Sequence, residues 1–319
     1  MRRAFVFPGQ GAQTIGMGRE LALAYPTALR VFEEVDEALG EPLSTLIWQG
    51  EADELTLTRN AQPALMATSV AALRALEAEG VVVTRDACFV AGHSLGEYAA
   101  LVAAGALDLA DAARLLRTRG EAMQAAVPVG EGAMAALLGL GLDDARGVAE
   151  EAAQGEVCQA ANDNDPGQVV VSGHRAAVER ACEIARARGA KRAMLLPVSA
   201  PFHCDLMQPA ADAMAEALAG VALRDPTVPV IANVTAAPVT QAGEIRDLLV
   251  RQVTGAVRWR ESVVRMAEED VTEVWEIGAG KALSGMVRRI DKSVATRNVS
   301  TPPEVKDAAA SLEERSADV

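Results

Sequence analysis

The sequence is poor in the residue types that bind metals or form disulfides. Its 319 residues include four cysteines and three histidines, and the cysteines lack the Cys-x-x-Cys spacing of a zinc or redox site. A chain of this length can bury a core without disulfide bonds. We therefore expect reduced thiols, no metal and no bound cofactor.

Long apolar segments are also missing. No run of about eighteen uncharged apolar residues occurs, which argues against a transmembrane helix. The N-terminus reads MRRAFVFPG and reaches proline and glycine too early for the apolar part of a signal peptide. We expect a cytoplasmic protein with no membrane partner.

Basic residues are outnumbered by acidic ones. The chain has 30 Lys and Arg against 44 Asp and Glu, which gives a formal net charge of −14. Nucleic-acid binding depends on clustered basic residues, so this balance argues against nucleic acid as the main ligand. Hydrophobic residues make up 50% of the chain, enough for the core of an ordinary globular protein.

The first part of the chain has a pattern of alternating strands and helices. Residues 3–7 form a strand pattern, and the glycine-rich loop PGQGAQ follows at 8–13. The pattern predicts helices at 17–25, 27–39, 62–79 and 109–125, and a further strand at 87–91. This alternation is typical of a mostly parallel sheet with helices on its faces.

A second pattern, β-α-β-β-α-β, begins near residue 129 and has the order of a ferredoxin-like domain. Its predicted strands are 133–140, 157–160, 168–172 and 191–198, and its helices are 143–153 and 175–188. Beyond it, helices at 209–219, 245–253 and 259–269 alternate with strands at 228–233 and 271–277. We expect a large α/β domain formed by 1–128 and 199–301, an inserted ferredoxin-like subdomain at 129–198, and a loosely ordered C-terminal tail at 302–319.

One serine lies where a buried strand meets a helical pattern. Residues 90–100 read VAGHSLGEYAA, which places Ser94 between two glycines in the Gly-x-Ser-x-Gly spacing of a nucleophile elbow. In that turn a side chain at Gly92 or Gly96 would crowd the backbone, and the following helix directs its N-terminal N–H groups at the serine. We infer that Ser94 is a candidate nucleophile.

The chain offers three candidates for the base that such a serine needs. His93 is adjacent to Ser94, and neighbouring side chains diverge in a tight turn, so we expect it to pack under the elbow. His174 lies at a strand-to-helix junction of the insert, where we expect it to face solvent. His203 follows a strand and the rigid Pro201, so it can face the cleft between the two domains. Elimination favours His203.

Six segments, in the same order, resemble those of the malonyl-CoA:acyl carrier protein transacylases and the related acyltransferase domains of fatty-acid and polyketide synthases. They are the opening loop FPGQGAQ at 7–13, the elbow GHSLGEY at 92–98, the helix segment RGEAM at 119–123, the subdomain turn NDNDPGQ at 162–168, the histidine loop APFH at 200–203 and the late glycine turn EIGAG at 276–280. Chance similarity of one motif cannot produce this series.

The resemblance implies a role for each matching residue. Ser94 would attack a malonyl thioester, and His203 would act as general base and then protonate the departing thiolate. The backbone N–H groups of Gln10 and Leu95 would form the oxyanion hole. Arg119 would bind the free carboxylate of the malonyl group through its two-pronged guanidinium.

The same resemblance supplies the supporting residues. The backbone carbonyl of Gln252 would orient His203, and Met123 and Phe202 would line the acyl pocket. The ring of Phe202 would leave little room for an α-methyl branch, which favours malonyl over methylmalonyl groups. Arg114 and Arg117 lie on the same predicted helix as Arg119. Of the three, only Arg119 matches the family's motif, so it is the one assigned to the carboxylate.

These roles imply transfer of a malonyl group from malonyl-CoA to the phosphopantetheine thiol of acyl carrier protein, through a malonyl-serine intermediate. Because no synthase domains flank the chain, we expect it to supply fatty-acid synthesis, and we expect a monomer. Two alternatives are a serine thioesterase or esterase using the same elbow, and a non-catalytic acyl-CoA sensor. Intact Ser94, Arg119 and His203 count against the sensor.

Carrier proteins are acidic, so an acidic enzyme must offer them a local basic surface. Two basic clusters are candidates for it. The first contains Arg186, Arg188, Lys191 and Arg192, and the second contains Lys281, Arg288 and Arg289. Reversing Arg288 and Arg289 to Glu is expected to weaken use of the carrier without affecting acylation by CoA thioesters.

Overall fold

The computed structural model describes residues 2–316, with side chains through residue 312. Its strands are β1 (Arg2–Phe7), β2 (Phe89–Gly92), β3 (Gly132–Leu138), β4 (Cys158–Asp165), β5 (Gln168–His174), β6 (Arg192–Leu195), β7 (Val230–Ile231), β8 (Pro238–Val239), β9 (Val271–Ile277) and β10 (Ala295–Val299).

The α-helices between and after these strands are α1 (Arg19–Ala24), α2 (Pro26–Leu39), α3 (Leu43–Gln49), α4 (Ala52–Thr56), α5 (Thr58–Ala78), α6 (Val83–Asp86), α7 (Gly96–Ala103), α8 (Leu109–Ala125), α9 (Leu142–Ala153), α10 (Arg175–Ala187), α11 (Gln208–Ala219), α12 (Ala242–Thr254), α13 (Trp259–Glu268), α14 (Ala282–Ile290) and α15 (Pro302–Ser316). Within residues 2–316, no helix is both long and apolar enough to cross a membrane.

The larger sheet has the order β10-β9-β1-β2-β7-β8, and every pair except β7 with β8 is parallel. Its central strand β1 is buried on both faces: Phe5 and Phe7 belong to one hydrophobic cluster, and Ala4 and Val6 belong to another. Parallel sheets covered on both sides have such continuous apolar strands. The predicted mostly parallel α/β sheet is confirmed.

The smaller sheet is antiparallel and has the order β4-β5-β3-β6. Numbered within the insert, this is the order 2-3-1-4 expected of the predicted β-α-β-β-α-β connection. Helices α9 and α10 pack against it around a separate hydrophobic cluster. The predicted ferredoxin-like arrangement is confirmed.

The end of β4 anchors the small sheet to the large one. The sequence interpretation ended this strand at residue 160 and assigned 162–168 to a turn, but β4 continues to Asp165. Its polar side chains are buried because they have partners across the interface: Asp163 pairs with Arg260 at 2.8 Å, and Asp165 pairs with Arg289 at 2.8 Å. Paired carboxylates can be buried where unpaired ones cannot.

The prediction of a loosely ordered tail at 302–319 is wrong for the residues that the structure describes. Residues 302–316 form α15, in which Val305, Ala308 and Ala309 are buried, and the helix packs against α5 and β10. At its start the Glu304 carboxylate accepts a hydrogen bond from the backbone N–H of Thr301 at 3.0 Å, which is one of the two bonds of a capping box. Residues 317–319 lie outside the described residues.

The turn between β2 and α7 has no room for side chains at its two glycines. A Cβ on Gly92 would lie 1.9 Å from the carbonyl carbon of Gly96, and a Cβ on Gly96 would lie 2.3 Å from the backbone oxygen of Phe7. Ser94 between them has φ of 51°, a left-handed conformation that is uncommon for residues other than glycine. The backbone therefore holds Ser94 in the turn expected of a nucleophile elbow.

We expect Gly92→Ala to lower the free energy of unfolding by about 1–3 kcal/mol, because the methyl group forces backbone atoms apart. The measurement is the urea midpoint. Gly243→Ala is the matched control, since Gly243 is exposed and nothing lies within 4 Å of a Cβ placed there. Equal midpoints for Gly92→Ala and the unmodified chain would contradict the close approach described here.

Candidate active site

A cavity of about 530 Å³ lies between the two sheets, where β1 and β2 end. The large domain contributes Gln10, Ser94 and Arg119 to its wall, and the small sheet contributes Met134 and Asn164. Ligands of open α/β sheets bind beyond the carboxyl ends of the strands, where the loops diverge. Residues far apart in sequence therefore meet in one enclosed space.

Ser94 and His203 are in direct contact in this cavity. The Oγ atom of Ser94 lies 2.8 Å from Nε2 of His203. His203 is buried, and its φ of 60° is also in the left-handed region. Both residues of the pair are thus held in an uncommon backbone conformation, and strained residues of this kind cluster at functional sites.

Two backbone carbonyls fix the tautomer of His203. Its Nδ1 lies 2.9 Å from the carbonyl oxygen of Gln252 and 3.1 Å from that of Gly255. A carbonyl oxygen only accepts hydrogen bonds, so Nδ1 carries the proton and Nε2 presents its lone pair to Ser94. The resemblance pointed to Gln252; the contribution of Gly255 had no signal in the sequence.

The electrostatic surroundings keep His203 neutral. Burial, followed by the positive charge of Arg119, lowers the pKa of His203 from 6.5 to about 3. The neutral imidazole is the form that can accept a proton, and it persists as the pH falls until the pH reaches this low pKa. His203 is thus available as a base throughout the neutral and mildly acidic range.

Arg119 lies beside the serine and is 1% exposed. Its Nη2 atom is 3.2 Å from Oγ of Ser94. Of the other two arginines on α8, Arg114 contacts Asp111 and Arg117 contacts Asn60, both away from the cavity. The structure therefore brings only Arg119 of these three to the serine.

Two glutamine side chains hold the Arg119 guanidinium. Nη1 donates to Oε1 of Gln62 at 2.6 Å, and Nη2 donates to Oε1 of Gln252 at 2.9 Å. Gln62 also donates to Thr58, whose hydroxyl donates to the side chain of Gln10 at 3.0 Å. Sequence reasoning missed Gln62 and the Gln252 side chain, because a polar residue within a helix pattern reads as an exposed one.

Two backbone N–H groups remain candidates for an oxyanion hole. Gln10 and Leu95 both line the cavity, and Leu95 immediately precedes α7. In the described part of the chain, neither N–H has a hydrogen-bond acceptor. A helix N-terminus also favours negative charge, so this corner of the cavity is suited to a developing oxyanion.

The apolar part of the cavity includes the two predicted acyl-pocket residues. Met123 and Phe202 line it and are nearly buried. Met123 lies one helical turn beyond Arg119, with its Sδ 3.7 Å from Nε2 of Gln62. Both side chains thus line the same cavity as Ser94 and Arg119.

The other histidines are not positioned as bases for Ser94. Nε2 of His93 lies 2.9 Å from Oδ1 of Asn164, and its ring packs at 5.9 Å from Trp259 while lining the cavity. His174 was expected to face solvent, but it is half-buried, because its Nδ1 accepts the backbone N–H of Val157 at 2.9 Å. Among residues 2–312, no group of three or more His, Cys, Asp or Glu side chains could hold a metal ion.

Comparison with known proteins identifies the family of this site. The acyl transferase domain family matches residues 4–306. The chain belongs to this acyl transferase family.

Its relatives cover nearly the full length of this acyl transferase. The malonyl CoA-acyl carrier protein transacylase of Bacillus subtilis is 49% identical over 98% of this chain and 97% of the relative. The crystal structure of the acyl-carrier-protein-S-malonyltransferase of Bartonella henselae is 55% identical, with a TM-score of 0.96 over 98% of this chain and all of that one.

A third similar structure includes a partner. It is a malonyl-transacylase in complex with a type II polyketide synthase acyl-carrier protein, 42% identical to this acyl transferase with a TM-score of 0.94. The match covers 98% of this chain and 100% of the malonyl-transacylase complex's matched chain. The resemblance drawn from six sequence segments is thus confirmed at the level of family and fold.

The position of Arg119 in this acyl transferase predicts a measurable effect on His203. We expect Arg119→Gln to raise the pKa of His203, because a nearby positive charge is removed, while burial still keeps the pKa below 6.5. Nitrogen-15 NMR of the three imidazoles can follow this titration, with His203→Ala for assignment. Arg117→Gln is the matched control, and an unchanged His203 titration in Arg119→Gln would contradict the electrostatic account.

Proposed function

We propose that the protein transfers a malonyl group from malonyl-CoA to the phosphopantetheine thiol of an acyl carrier protein, through an ester on Ser94. The observation that carries the proposal is the convergence of three groups in one buried cavity. Oγ of Ser94 lies 2.8 Å from the imidazole of His203 and 3.2 Å from the guanidinium of Arg119. A nucleophile, a base and a binding site for a carboxylate thus adjoin.

In the first half-reaction, Nε2 of His203 takes the proton of the Ser94 hydroxyl as Oγ attacks the thioester carbonyl. The resulting oxyanion is stabilised by the backbone N–H groups of Gln10 and Leu95. The tetrahedral intermediate then collapses, the carbon–sulfur bond breaks, and His203 protonates the CoA thiolate. The malonyl group remains as an ester on Ser94.

In the second half-reaction, the thiol of the carrier's phosphopantetheine arm takes the place of CoA. His203 removes the thiol proton, the thiolate attacks the ester, and Ser94 recovers its proton on release. The malonyl-CoA and the carrier are substrates, and the reaction as written needs no further cofactor.

Selection of the acyl group rests on Arg119. A malonyl carboxylate would pair with the guanidinium, whereas an uncharged acyl group would leave the buried cation without a partner, which is unfavourable. The bulk of Phe202 would disfavour an α-methyl branch, so malonyl is proposed over methylmalonyl. Fatty-acid synthesis as the destination, a monomeric state and a cytoplasmic location stay predictions from the sequence.

The second basic cluster is the better candidate for contact with the carrier. Helix α14 lines the cavity through Leu283 and Met286, and it carries Lys281 at its start and Arg288 near its end, both exposed. Each cluster has an arginine with an internal hydrogen bond, since Arg186 donates to the backbone of Ala193 and Arg288 donates to Thr296. The position of α14 beside the cavity is therefore what favours the second cluster. An acidic carrier on α14 could direct its arm into the adjacent cavity.

The reaction class is tested by the fate of the acyl group. Incubation with malonyl-CoA is expected to give a malonyl ester at Ser94 by intact mass and peptide mapping, and only the carrier is expected to discharge it rapidly. Ser94→Ala removes the attacking oxygen and is expected to abolish the ester. Rapid release of malonate into water would favour a hydrolase, and no ester at all would favour a sensor.

Carrier docking is tested by charge reversal on α14. Lys281→Glu with Arg288→Glu is expected to raise the KM for the carrier about tenfold at low salt while leaving acylation by malonyl-CoA unchanged, since surface charges act on association. Arg289 is left unchanged in this double variant, because its ion pair with Asp165 joins the two domains.

Lys191→Glu with Arg192→Glu is the matched control, because it makes the same change in net charge in the other cluster. Both of its residues are exposed. An equal rise in KM for the two double variants would show that net charge, rather than docking at α14, controls use of the carrier.

A further inference from the structure

A buried carboxyl group lies beneath the elbow and takes no part in the reaction proposed above. Glu97 is in the first turn of α7 and is 3% exposed. Its Oε2 atom accepts hydrogen bonds from Nε2 of Gln252 at 2.8 Å and from the backbone N–H of Asn233 at 3.0 Å. Burial raises the pKa of Glu97 to about 7. A buried carboxyl group is unfavourable unless its hydrogen bonds compensate, so its presence here requires an explanation.

The Gln252 side chain connects Glu97 to Arg119. Its Nε2 donates to Glu97 at 2.8 Å and to the backbone oxygen of Ser94 at 3.0 Å, with a longer contact to Oδ1 of Asn233 at 3.3 Å. Its Oε1 accepts from Nη2 of Arg119 at 2.9 Å. An amide has a donor end and an acceptor end that are not interchangeable. Because acceptors take both Nε2 hydrogens, the oxygen of Gln252 is forced to face Arg119.

The second partner of Glu97 holds the elbow itself. Asn233 accepts the backbone N–H of Ser94 through Oδ1 at 2.7 Å and donates from Nδ2 to the backbone oxygen of Gly92 at 2.7 Å. Glu97 therefore joins the loop after β7, the end of α12 and the start of α7. These three segments carry the groups that surround the serine.

Among the described residues, no carboxylate contacts Arg119 directly. The hydrogen-bond partners of its guanidinium are two amide oxygens and the Ser94 hydroxyl. A direct ion pair would occupy the guanidinium hydrogens that a substrate carboxylate needs. Glu97 lies one amide group further away, so it can orient the partner of Arg119 without competing for the substrate.

We propose that Glu97 is a positioning residue: its hydrogen bond to Gln252 holds Arg119 in the orientation that selects acyl groups with a free carboxylate. The inference rests on the proposed function, in which Arg119 binds that carboxylate. Glu97 contacts neither Ser94 Oγ nor His203, and the two bonds from the Asn233 side chain to the elbow do not involve Glu97 atoms. Its effect on an acyl group without a carboxylate is therefore expected to be small.

The test compares acylation of Ser94 by malonyl-CoA and by acetyl-CoA, a donor of similar size with no carboxylate. In Glu97→Leu, the ratio of the two kcat/KM values is expected to fall about tenfold, the order of loss expected when a buried donor is left without an acceptor. The fall should come from malonyl-CoA, with acetyl-CoA altered less than about threefold.

Glu97→Gln is the conservative control. Both hydrogen bonds end on a single oxygen, Oε2, which the amide oxygen of a glutamine can replace. This variant is expected to keep the ratio of the unmodified protein. A ratio as low in Glu97→Gln as in Glu97→Leu would overturn the hydrogen-bonding role.

A double-mutant cycle shows whether Glu97 acts through Gln252. Gln252→Leu is expected to lower the ratio as Glu97→Leu does, and the two changes together are expected to lower it no further than Gln252→Leu alone. If Glu97→Leu does not fold, Gln252→Leu still tests the proposal, because an unchanged ratio in that variant would overturn it. Fully additive effects, or an equal loss with malonyl-CoA and acetyl-CoA, would overturn the proposal.

Failure of the proposed function has a different signature. If the unmodified protein does not prefer malonyl-CoA, or if Arg119→Leu leaves the ratio unchanged, then Arg119 does not select the carboxylate and the proposed function is wrong. If Arg119→Leu lowers the ratio but Glu97→Leu and Gln252→Leu do not, only the role of Glu97 is wrong.

Discussion

A guanidinium buried next to a serine is the constraint on which the remainder of the site depends. Arg119 is 1% exposed, and amide oxygens of Gln62 and Gln252 hold it beside Ser94. A buried cation is unfavourable without a partner, and in the proposed function the carboxylate of the acyl group would supply one. Burial, together with the same charge, lowers the pKa of His203 and keeps its imidazole neutral.

The fold brings these groups together by joining the ends of parallel strands with an inserted sheet. Ser94 follows β2, Gln10 follows β1, and Arg119 lies on α8, while the small sheet closes the cavity from the other side. Asp163 and Asp165 anchor that sheet, because their buried carboxylates pair with Arg260 and Arg289 of the large domain. The shape of the cavity thus depends on contacts outside it.

Local patterns predicted most of the longer helices and strands, whereas the elements and contacts that depend on distant neighbours were missed. The glycines of the elbow were readable because a tight turn leaves no space for a Cβ. Helix α15 was missed because its buried face is largely alanine. Alanine is too small to give a clear apolar pattern in the sequence, and its burial depends on a neighbouring helix that packs closely. Strand β10 lies at the edge of the sheet and is half-exposed, so its apolar signal is weak. The roles of Glu97 and Gln62 arise only in three dimensions, since each contacts residues distant in sequence.

The most direct test of the account is a crystal structure of the protein carrying a malonyl ester, prepared with malonyl-CoA. The account predicts the ester on Ser94, with its free carboxylate on the two Nη atoms of Arg119 and its carbonyl oxygen near the backbone N–H groups of Gln10 and Leu95. A carboxylate directed away from Arg119, or an ester on another residue, would contradict it.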